Sequence, residues 1–365
     1  MNILILTKLK SNILEPHHKN VNDYIKDEHF FNGWNEAFKK LGHSTFLNWE
    51  ESVFFPQKLK IKFPFLIRVI RFVFKFIGLS KLDRYIFSKR IAKFCHLNNI
   101  DVIFTEINNF ISPKLIKKNY PKVKITQWYG VFPEMSSNDI LKILPEYDYI
   151  WGPCEFYKDQ INFKGIEKFH YIGCAVNNQI YYNEYDDKFN YDIVFVGGVM
   201  NAHSNRIKTL EAIAQKFDNF AFYGYGVENL PRDYKLRKKF KGWISSKNQR
   251  KLYSSSKVAL NFTLNGYEKI KKGFNVRLFE IAACGGAIQL CKFDKKIEEF
   301  FLIGKDLDCF ENSDDLITKI DFYLKNKKER DSLAQNSLNK SNQYTYLPKA
   351  KKILEIIHKD EDQFQ

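Results

Sequence analysis

The sequence contains few cysteines, and no two of them form a CxxC pair. Its six cysteines are scattered over 365 residues, at Cys95, Cys154, Cys174, Cys284, Cys291 and Cys309. Zinc sites and the disulfide frameworks of small secreted proteins use cysteines at short, regular spacings. The sequence therefore indicates neither kind of site, and we interpret these cysteines as reduced thiols.

Long hydrophobic runs are also absent. The opening stretch MNILILTKLK has only five apolar residues before its first lysine, which is too few for the hydrophobic region of a signal peptide. No later uncharged run approaches the roughly 18 apolar residues that a transmembrane helix needs. We therefore expect a cytoplasmic protein without a membrane span.

Acidic residues are scarce between Pro56 and Asn99, where Asp83 is the only acid among eleven lysines and arginines. The whole chain has a net charge of +16. Such an excess favours an anionic partner, which can be nucleic acid, a membrane surface or a phosphorylated small molecule, although a lysine-rich genome explains it equally well. Two interpretations of residues 56–79 stay open, because cations alternate there with Phe, Ile and Val. The segment is either an interfacial helix on an anionic membrane or a helix packed on a sheet with its lysines in water.

Strands and helices alternate along the chain in two series, separated by an acidic, Asn- and Tyr-rich stretch at 177–190 that we interpret as a linker. The predicted strands of the two series are NILILT, HSTFLNW, DVIFTEI, VKITQWYG and YDYIWGP, then YDIVFVGG, FAFYGYG, VALNFTL and GAIQL. The predicted helices of the second series cover 204–216, 246–255, 275–283, 295–301 and 313–325. This alternation predicts an α/β protein with parallel, doubly wound sheets. We expect two Rossmann-like domains, 1–176 and 177–344, with a last helix at 345–365 that joins the first.

Glycine turns follow two strands of the second series, at Gly197 and Gly198 and at Gly224. Ligands of open α/β sheets bind at the carboxyl ends of the strands, and a glycine turn before a helix presents N–H groups to phosphate. Arg206 and Lys208 lie in the first turns of the next helix, where a cation opposes the helix dipole unless an anion compensates it. The turn is not a G-x-G-x-x-G fingerprint, so a nicotinamide site is not indicated.

The stretch GFNVRLFEIAACGGAIQL places Asn275, Arg277 and Glu280 before a run of small residues. A carboxylate at position 280 can accept two hydrogen bonds from a ribose diol, while Arg277 and the helix N-terminus can hold a diphosphate. Earlier in the chain, Trp243 and Ile244 form an apolar pair that can flank a nucleobase, or can belong to the core.

From about Tyr191 to its end, the sequence resembles the carboxyl half of a GT-B glycosyltransferase. It is most similar to the retaining family 4 enzymes and their spore-maturation-like relatives, whose Asn-x-Arg-x-Phe-Glu pattern NVRLFE matches. The resemblance implies two Rossmann-like domains facing across a cleft, with Glu280 on the ribose and Arg277 beside the donor phosphates. It gives the catalytic candidates Arg277, Glu280 and Arg206. The donor-binding candidates are Gly197, Gly198, Lys208, Gly224, Trp243, Ile244, Lys272, Gly273, Phe274 and Asn275.

The same resemblance implies transfer of a sugar from a nucleotide diphosphate sugar to a hydroxyl of a glycan or lipid-linked acceptor, with retained configuration. Neither a metal nor a cofactor is expected, because cations and helix N–H groups can stabilise the leaving diphosphate. The expected role is synthesis of a bacterial surface polysaccharide, lipopolysaccharide or capsule, at the inner face of the membrane and without nucleic acid. Candidates on the acceptor side are His17, His18, Glu106, Tyr129 and Glu134.

Three positions depart from the family pattern. Lys272 stands where a sugar-contacting Glu is common, Gly198 where an Arg follows the phosphate-loop glycine, and Asn177 where Asp is usual. Two alternatives on the same fold stay open: a catalytically silent module that binds a glycan or protein, which Lys272 favours, and a nucleotide-sugar epimerase, which needs no acceptor. A nucleic-acid-binding protein is motivated by charge alone.

Overall fold

The computed structural model describes residues 1–8, 29–50, 79–106, 111–130, 138–155, 167–200, 204–262 and 275–362. The chain forms two compact units. Unit 1 comprises Met1–Gly173 and Lys349–Gln365, and unit 2 comprises Cys174–Pro348. Of the segment 56–79, for which a membrane helix and a packed helix are both open, only the backbone of the last residue is described.

Unit 1 contains a parallel six-stranded sheet in the order β2-β1-β3-β4-β5-β6. The strands are β1 (Asn2–Lys8), β2 (Ser44–Glu50), β3 (Val102–Glu106), β4 (Lys124–Trp128), β5 (Tyr149–Gly152) and β6 (Phe169–Tyr171). The described helices before β6 are α1 (His29–Lys40), α2 (Leu79–Leu97), α3 (Pro113–Asn119) and α4 (Asn138–Ile143). Residues 3–6 of β1 are all buried, which is typical of a parallel strand covered on both faces.

Unit 2 contains a parallel five-stranded sheet in the order β11-β10-β9-β7-β8. Its strands are β7 (Ile193–Gly198), β8 (Phe220–Tyr225), β9 (Val258–Asn261), β10 (Ile288–Lys292) and β11 (Asp308–Phe310). Its described helices are α5 (Ser204–Lys216), α6 (Lys235–Lys239), α7 (Ser246–Ser255), α8 (Arg277–Cys284), α9 (Ser313–Lys325) and α10 (Lys327–Ser341). Alternate residues of β7 enter two separate apolar clusters, Ile193 and Phe195 one, Val194 and Val196 the other. Both faces of the sheet are therefore covered, as a doubly wound fold requires.

The last helix, α11 (Tyr346–Asp362), belongs to unit 1 from Lys349 onward. Its Ile353 and Ile357 are buried, and its Lys352 Nζ donates to the carbonyl oxygen of Tyr171 at 3.0 Å. No helix among the described residues is long and apolar enough to cross a membrane.

The interpretation of residues 177–190 as a linker is wrong, because this segment is packed into unit 2. Tyr181 is 3% exposed and lies in one of the two apolar clusters. The side chain of Asn183 donates to the carbonyl oxygen of Cys284 at 2.6 Å, and the Glu184 N–H donates to Ser254 Oγ at 2.9 Å. The polar composition that suggested a linker instead satisfies hydrogen bonds of the neighbouring helices.

Short elements account for most other differences from the sequence prediction. The strands β6 and β11 have three residues each, and the predicted helix at 295–301 is a 3-10 turn over Lys295–Glu299. Sequence patterns also missed α6, which has five residues, and α10, whose 15 residues KKERDSLAQNSLNKS include only three apolar side chains. Segments of three to five residues are too short to display a hydrophobic period.

Candidate functional site

The two predicted glycine turns coincide with the last residues of β7 and β8, where the two strands still pair. Gly197 pairs with Gly224 in the parallel register, and Gly224 has φ +138. A Cβ on Gly224 would lie 2.0 Å from the carbonyl oxygen of Gly197. Only glycine fits this position, because both the backbone conformation and the space exclude a side chain.

Arg206 of α5 reaches back to this turn from the buried side. It is 5% exposed, and its Nη1 donates to the carbonyl oxygen of Gly198 at 3.0 Å. Its guanidinium carbon lies 5.9 Å from the ring centres of both Phe195 and Phe262. Burial, followed by the positive charge of Arg277, lowers the pKa of Arg206 to about 10. Two arginines therefore act on each other in an apolar environment.

Arg277 is the first residue of α8 and is partly buried. Its Nε is buried and has no hydrogen-bond partner among the residues that the structure describes. Burial by itself lowers the pKa of Arg277, but the nearby Tyr253, Glu280 and Tyr181 more than offset this effect, and the pKa is raised. The side chain is thus placed between a second cation on one side and phenols and a carboxylate on the other.

Glu280 lies one helical turn after Arg277 and is 5% exposed. Burial, and then the Glu280 carboxylate, raise the pKa of Tyr181. The phenol of Tyr181 donates to Gln249 Oε1 at 2.7 Å. The sequence reading missed Tyr181 and Tyr253, since neither lies in a recognisable motif, and only the fold brings them behind α8.

Asn275 connects the start of α8 to the end of β9. Its Nδ2 donates to Asn261 Oδ1 at 2.9 Å and to the carbonyl oxygen of Phe262 at 3.1 Å. The amide therefore fixes where α8 begins relative to the sheet, which sets the position of the first-turn residues of the helix.

The apolar pair at 243–244 is divided by the fold. The Gly224 N–H donates to the carbonyl oxygen of Gly242 at 2.9 Å, which brings the following residues beside the glycine turns. Trp243 is 51% exposed there, whereas Ile244 is 7% exposed and belongs to an apolar cluster. Trp243 thus offers a surface at this edge, and Ile244 supports it from the core.

Three further predicted residues lie within the described ranges, one in unit 2 and two in unit 1. Lys208 is exposed on α5, and residues two apart on a helix do not share a face, so it points away from the buried Arg206. In unit 1, Glu106 ends β3 opposite Trp128 of β4 in the parallel register, and Tyr129 follows Trp128 and is fully buried. The remaining candidates lie outside the described residues: His17, His18, Glu134, Lys272, Gly273 and Phe274. Within the described ranges, no group of three or more His, Cys, Asp or Glu is arranged to hold a metal.

Residues 205–355 match a family model described as glycosyl transferase-like. A sucrose-phosphate synthase from Thermosynechococcus elongatus has the same fold, with a TM-score of 0.67 and 12% identity over all of both chains. The chain has the GT-B fold of glycosyltransferases. The chain is also similar to Anabaena HepE in complex with UDP-glucose, with a TM-score of 0.61 and 12% identity over 98% of this chain and all of HepE. For the lipopolysaccharide outer core galactosyltransferase WaaB, the TM-score is 0.57 and the identity 12%, over 99% of this chain and all of WaaB.

At these identities the likeness to solved structures establishes the fold, and the predicted pair of parallel α/β domains is confirmed. No curated protein has a matching sequence. The closer resemblance to family 4 and spore-maturation-like enzymes stays a prediction. In this chain, the glycines at the carboxyl ends of β7 and β8 lie near the buried Arg206, which interacts with the partly buried Arg277, and Arg277 in turn interacts with the buried Glu280.

Proposed function

We propose that this glycosyltransferase moves a sugar from a nucleotide diphosphate sugar to a hydroxyl of a glycan or lipid-linked acceptor, in bacterial surface polysaccharide synthesis. The pair formed by the buried Arg206 and the partly buried Arg277 carries the proposal. Arg206 lies beside the rings of Phe195 and Phe262, and the charge of Arg277 contributes to its lowered pKa. A bound diphosphate would offset this cost, because it brings negative charge between two guanidinium groups.

Neighbouring groups favour a nucleotide over a simple anion. Glu280 follows Arg277 by three residues and so lies on the same helix face, where its carboxylate can accept hydrogen bonds from a ribose diol. The exposed ring of Trp243, beside Gly224, suits a nucleobase. HepE, which shares the fold, is described in complex with UDP and with UDP-glucose.

In the proposed reaction the acceptor oxygen bonds to the anomeric carbon as the bond from that carbon to the diphosphate oxygen breaks. The acceptor hydroxyl proton passes to the leaving phosphate, and attack on the face that the diphosphate leaves gives retention. Negative charge grows on the leaving diphosphate, and Arg206, Arg277 and the start of α8 would stabilise it where it develops. These groups supply positive charge from the protein itself, so we propose a reaction without a metal or cofactor.

A ligand screen tests the donor. The melting temperature is measured with UDP, GDP, ADP, CMP, TDP and their common sugars, for the wild type and for Glu280→Gln. At one hundred times its dissociation constant a ligand adds about 2.7 kcal/mol of stability, so we expect one nucleotide to raise the wild-type midpoint clearly. The Glu280→Gln variant should lose much of that rise while keeping its response to inorganic diphosphate.

Glu329→Gln is the matched control, because Glu329 is exposed in unit 2 on α10, which contributes no residue to the proposed site. This variant should respond to nucleotides as the wild type does. A wild type that no nucleotide stabilises at millimolar concentration contradicts the proposed donor. An equal nucleotide response in Glu280→Gln contradicts the ribose role alone.

We also propose that the enzyme works on an anionic membrane surface at its cytoplasmic side, which suits a lipid-linked acceptor. Helix α2 follows the segment 56–79 directly and exposes Lys81, Leu82, Tyr85, Lys89 and Lys93, whereas its acid, Asp83, is 7% exposed. The Nζ of Lys89 lies 5.3 Å from the ring centre of Tyr85. An exposed face that mixes cations with apolar side chains is suited to lipid phosphates and the outer acyl region.

Charge reversal on α2 tests this contact. Lys89→Glu combined with Lys93→Glu should weaken binding to vesicles of phosphatidylcholine with phosphatidylglycerol by at least about tenfold, since each lysine near an anionic surface contributes about 1 kcal/mol. Lys325→Glu combined with Lys328→Glu changes the net charge equally on exposed residues of unit 2 and should bind as the wild type. Equal losses for both pairs, in a flotation assay, would indicate general charge rather than this face.

A further inference from the structure

Tyr225 is the last residue of β8 and lies beside the glycines at the strand ends, although it belongs to no recognised sequence motif. Its side chain is 58% exposed, and its carbonyl oxygen accepts from the Val199 N–H at 3.0 Å. A Cβ on Gly198 would lie 2.6 Å from Cε2 and Cζ of the Tyr225 ring and 2.8 Å from its hydroxyl. The phenol therefore occupies the space into which a side chain at position 198 would project.

The phenol also lies within electrostatic reach of the buried Arg206. Burial and Arg277 lower the pKa of Arg206, and Tyr225 acts in the opposite direction. A cation orients a neighbouring hydroxyl dipole with its oxygen toward the positive charge. The hydroxyl hydrogen then points away from the guanidinium, which makes the phenol a hydrogen-bond donor toward an anion at the turn.

We infer that Tyr225 is a diphosphate-binding residue whose hydroxyl donates to the donor diphosphate in the place that a side chain at position 198 would otherwise fill. This inference rests on the proposed function. It differs from a purely packing or stacking role, in which the ring of Tyr225 covers Gly198 or a nucleobase and its hydroxyl contributes nothing. Removing the hydroxyl oxygen of Tyr225 distinguishes the two roles.

The variant Tyr225→Phe makes this distinction, because it removes the hydroxyl and keeps the aromatic ring. Binding is measured by calorimetry with inorganic diphosphate, and with the nucleoside diphosphate and the nucleoside selected by the ligand screen. A lost hydrogen bond to a charged group should weaken diphosphate and nucleoside diphosphate roughly tenfold and leave the nucleoside unchanged. Tyr185→Phe is the control, since Tyr185 is 59% exposed in the same unit and its hydroxyl donates to Asp187 Oδ1 at 2.8 Å.

A second test measures whether a new side chain at position 198 restores diphosphate affinity. In a Tyr225→Ala background the space next to Gly198 is empty, so adding Gly198→Arg should restore diphosphate affinity, whereas Gly198→Leu should not. Wild-type affinity of Tyr225→Phe for both diphosphate probes, or equal behaviour of the arginine and leucine variants, overturns the inference. If the wild type itself binds neither diphosphate nor any nucleotide, the proposed function fails instead.

Discussion

Replacing Arg277 with glutamine should lower kcat/KM for sugar transfer at least about a hundredfold, because removing one preorganised donor to a developing oxyanion costs roughly 3 to 4 kcal/mol. Arg277 begins α8, and its buried Nε has no partner among the described residues. A planar guanidinium can give a diphosphate two parallel hydrogen bonds. Steady-state kinetics with the donor found in the ligand screen measures the loss, and calorimetry measures the accompanying loss of nucleotide affinity.

Arg277→Lys separates a binding defect from a folding defect. Glutamine leaves the buried Glu280 without the positive charge of its neighbour, which can destabilise unit 2. Lysine keeps that charge but not the planar fork, so we expect a stable protein with activity between those of the wild type and Arg277→Gln.

Arg330→Lys is the matched control for this series. Arg330 is 7% exposed in α10, and its Nη1 donates to the carbonyl oxygen of Tyr323 at 3.0 Å, within unit 2. Its replacement should change the melting temperature without changing the KM for the donor. Wild-type kcat/KM and affinity in Arg277→Lys and Arg277→Gln alike would show that another group holds the diphosphate.

Local patterns were sufficient to predict much of the fold and part of the site. Helix α5 was predicted at 204–216 and covers Ser204–Lys216. The glycines at the carboxyl ends of β7 and β8 were predicted to mark the strand ends, although the structure keeps them within the paired strands. The placement of Arg277 and Glu280 in one turn of α8 follows from the helix period alone.

The rest of the site depends on contacts between residues distant in the sequence. Nothing local distinguishes the buried Arg206 from the exposed Lys208, because the direction of each side chain depends on how α5 packs against β7. Tyr181 looked like part of a polar linker, yet the fold places it behind α8 next to Glu280. The position of Tyr225 over Gly198 requires the pairing of β7 with β8.

Arg206→Met should raise the melting temperature of the ligand-free protein while removing most of the stabilisation by nucleotide. The pKa of Arg206 is lowered to about 10, well below its usual value, and this difference corresponds to a cost of roughly 3 kcal/mol to the folded state. Loss of the hydrogen bond from Arg206 to the Gly198 carbonyl lowers the stability by about 1 kcal/mol and so reduces the gain. A methionine can pack between the rings of Phe195 and Phe262, so we expect a net gain of about 1 to 2 kcal/mol, or several degrees.

The pH dependence of this stability gain follows from the same difference between the folded and unfolded pKa of Arg206. Since the pKa in the folded state lies below the unfolded value, the cost is fully present below pH 10 and declines only as the pH rises above it. The gain from Arg206→Met should therefore be equal at pH 7 and pH 9, as measured by chemical denaturation.

Arg330→Met should have the opposite effect on stability, because Arg330 Nε lies 3.3 Å from the carboxylate of Asp331 and removing it leaves that acid with one cation fewer. A lower melting temperature for both methionine variants would mean that Arg206 is a structural cation. A gain for Arg206→Met together with a lost nucleotide response would instead show that the folded protein holds this charge at a cost that its ligand offsets.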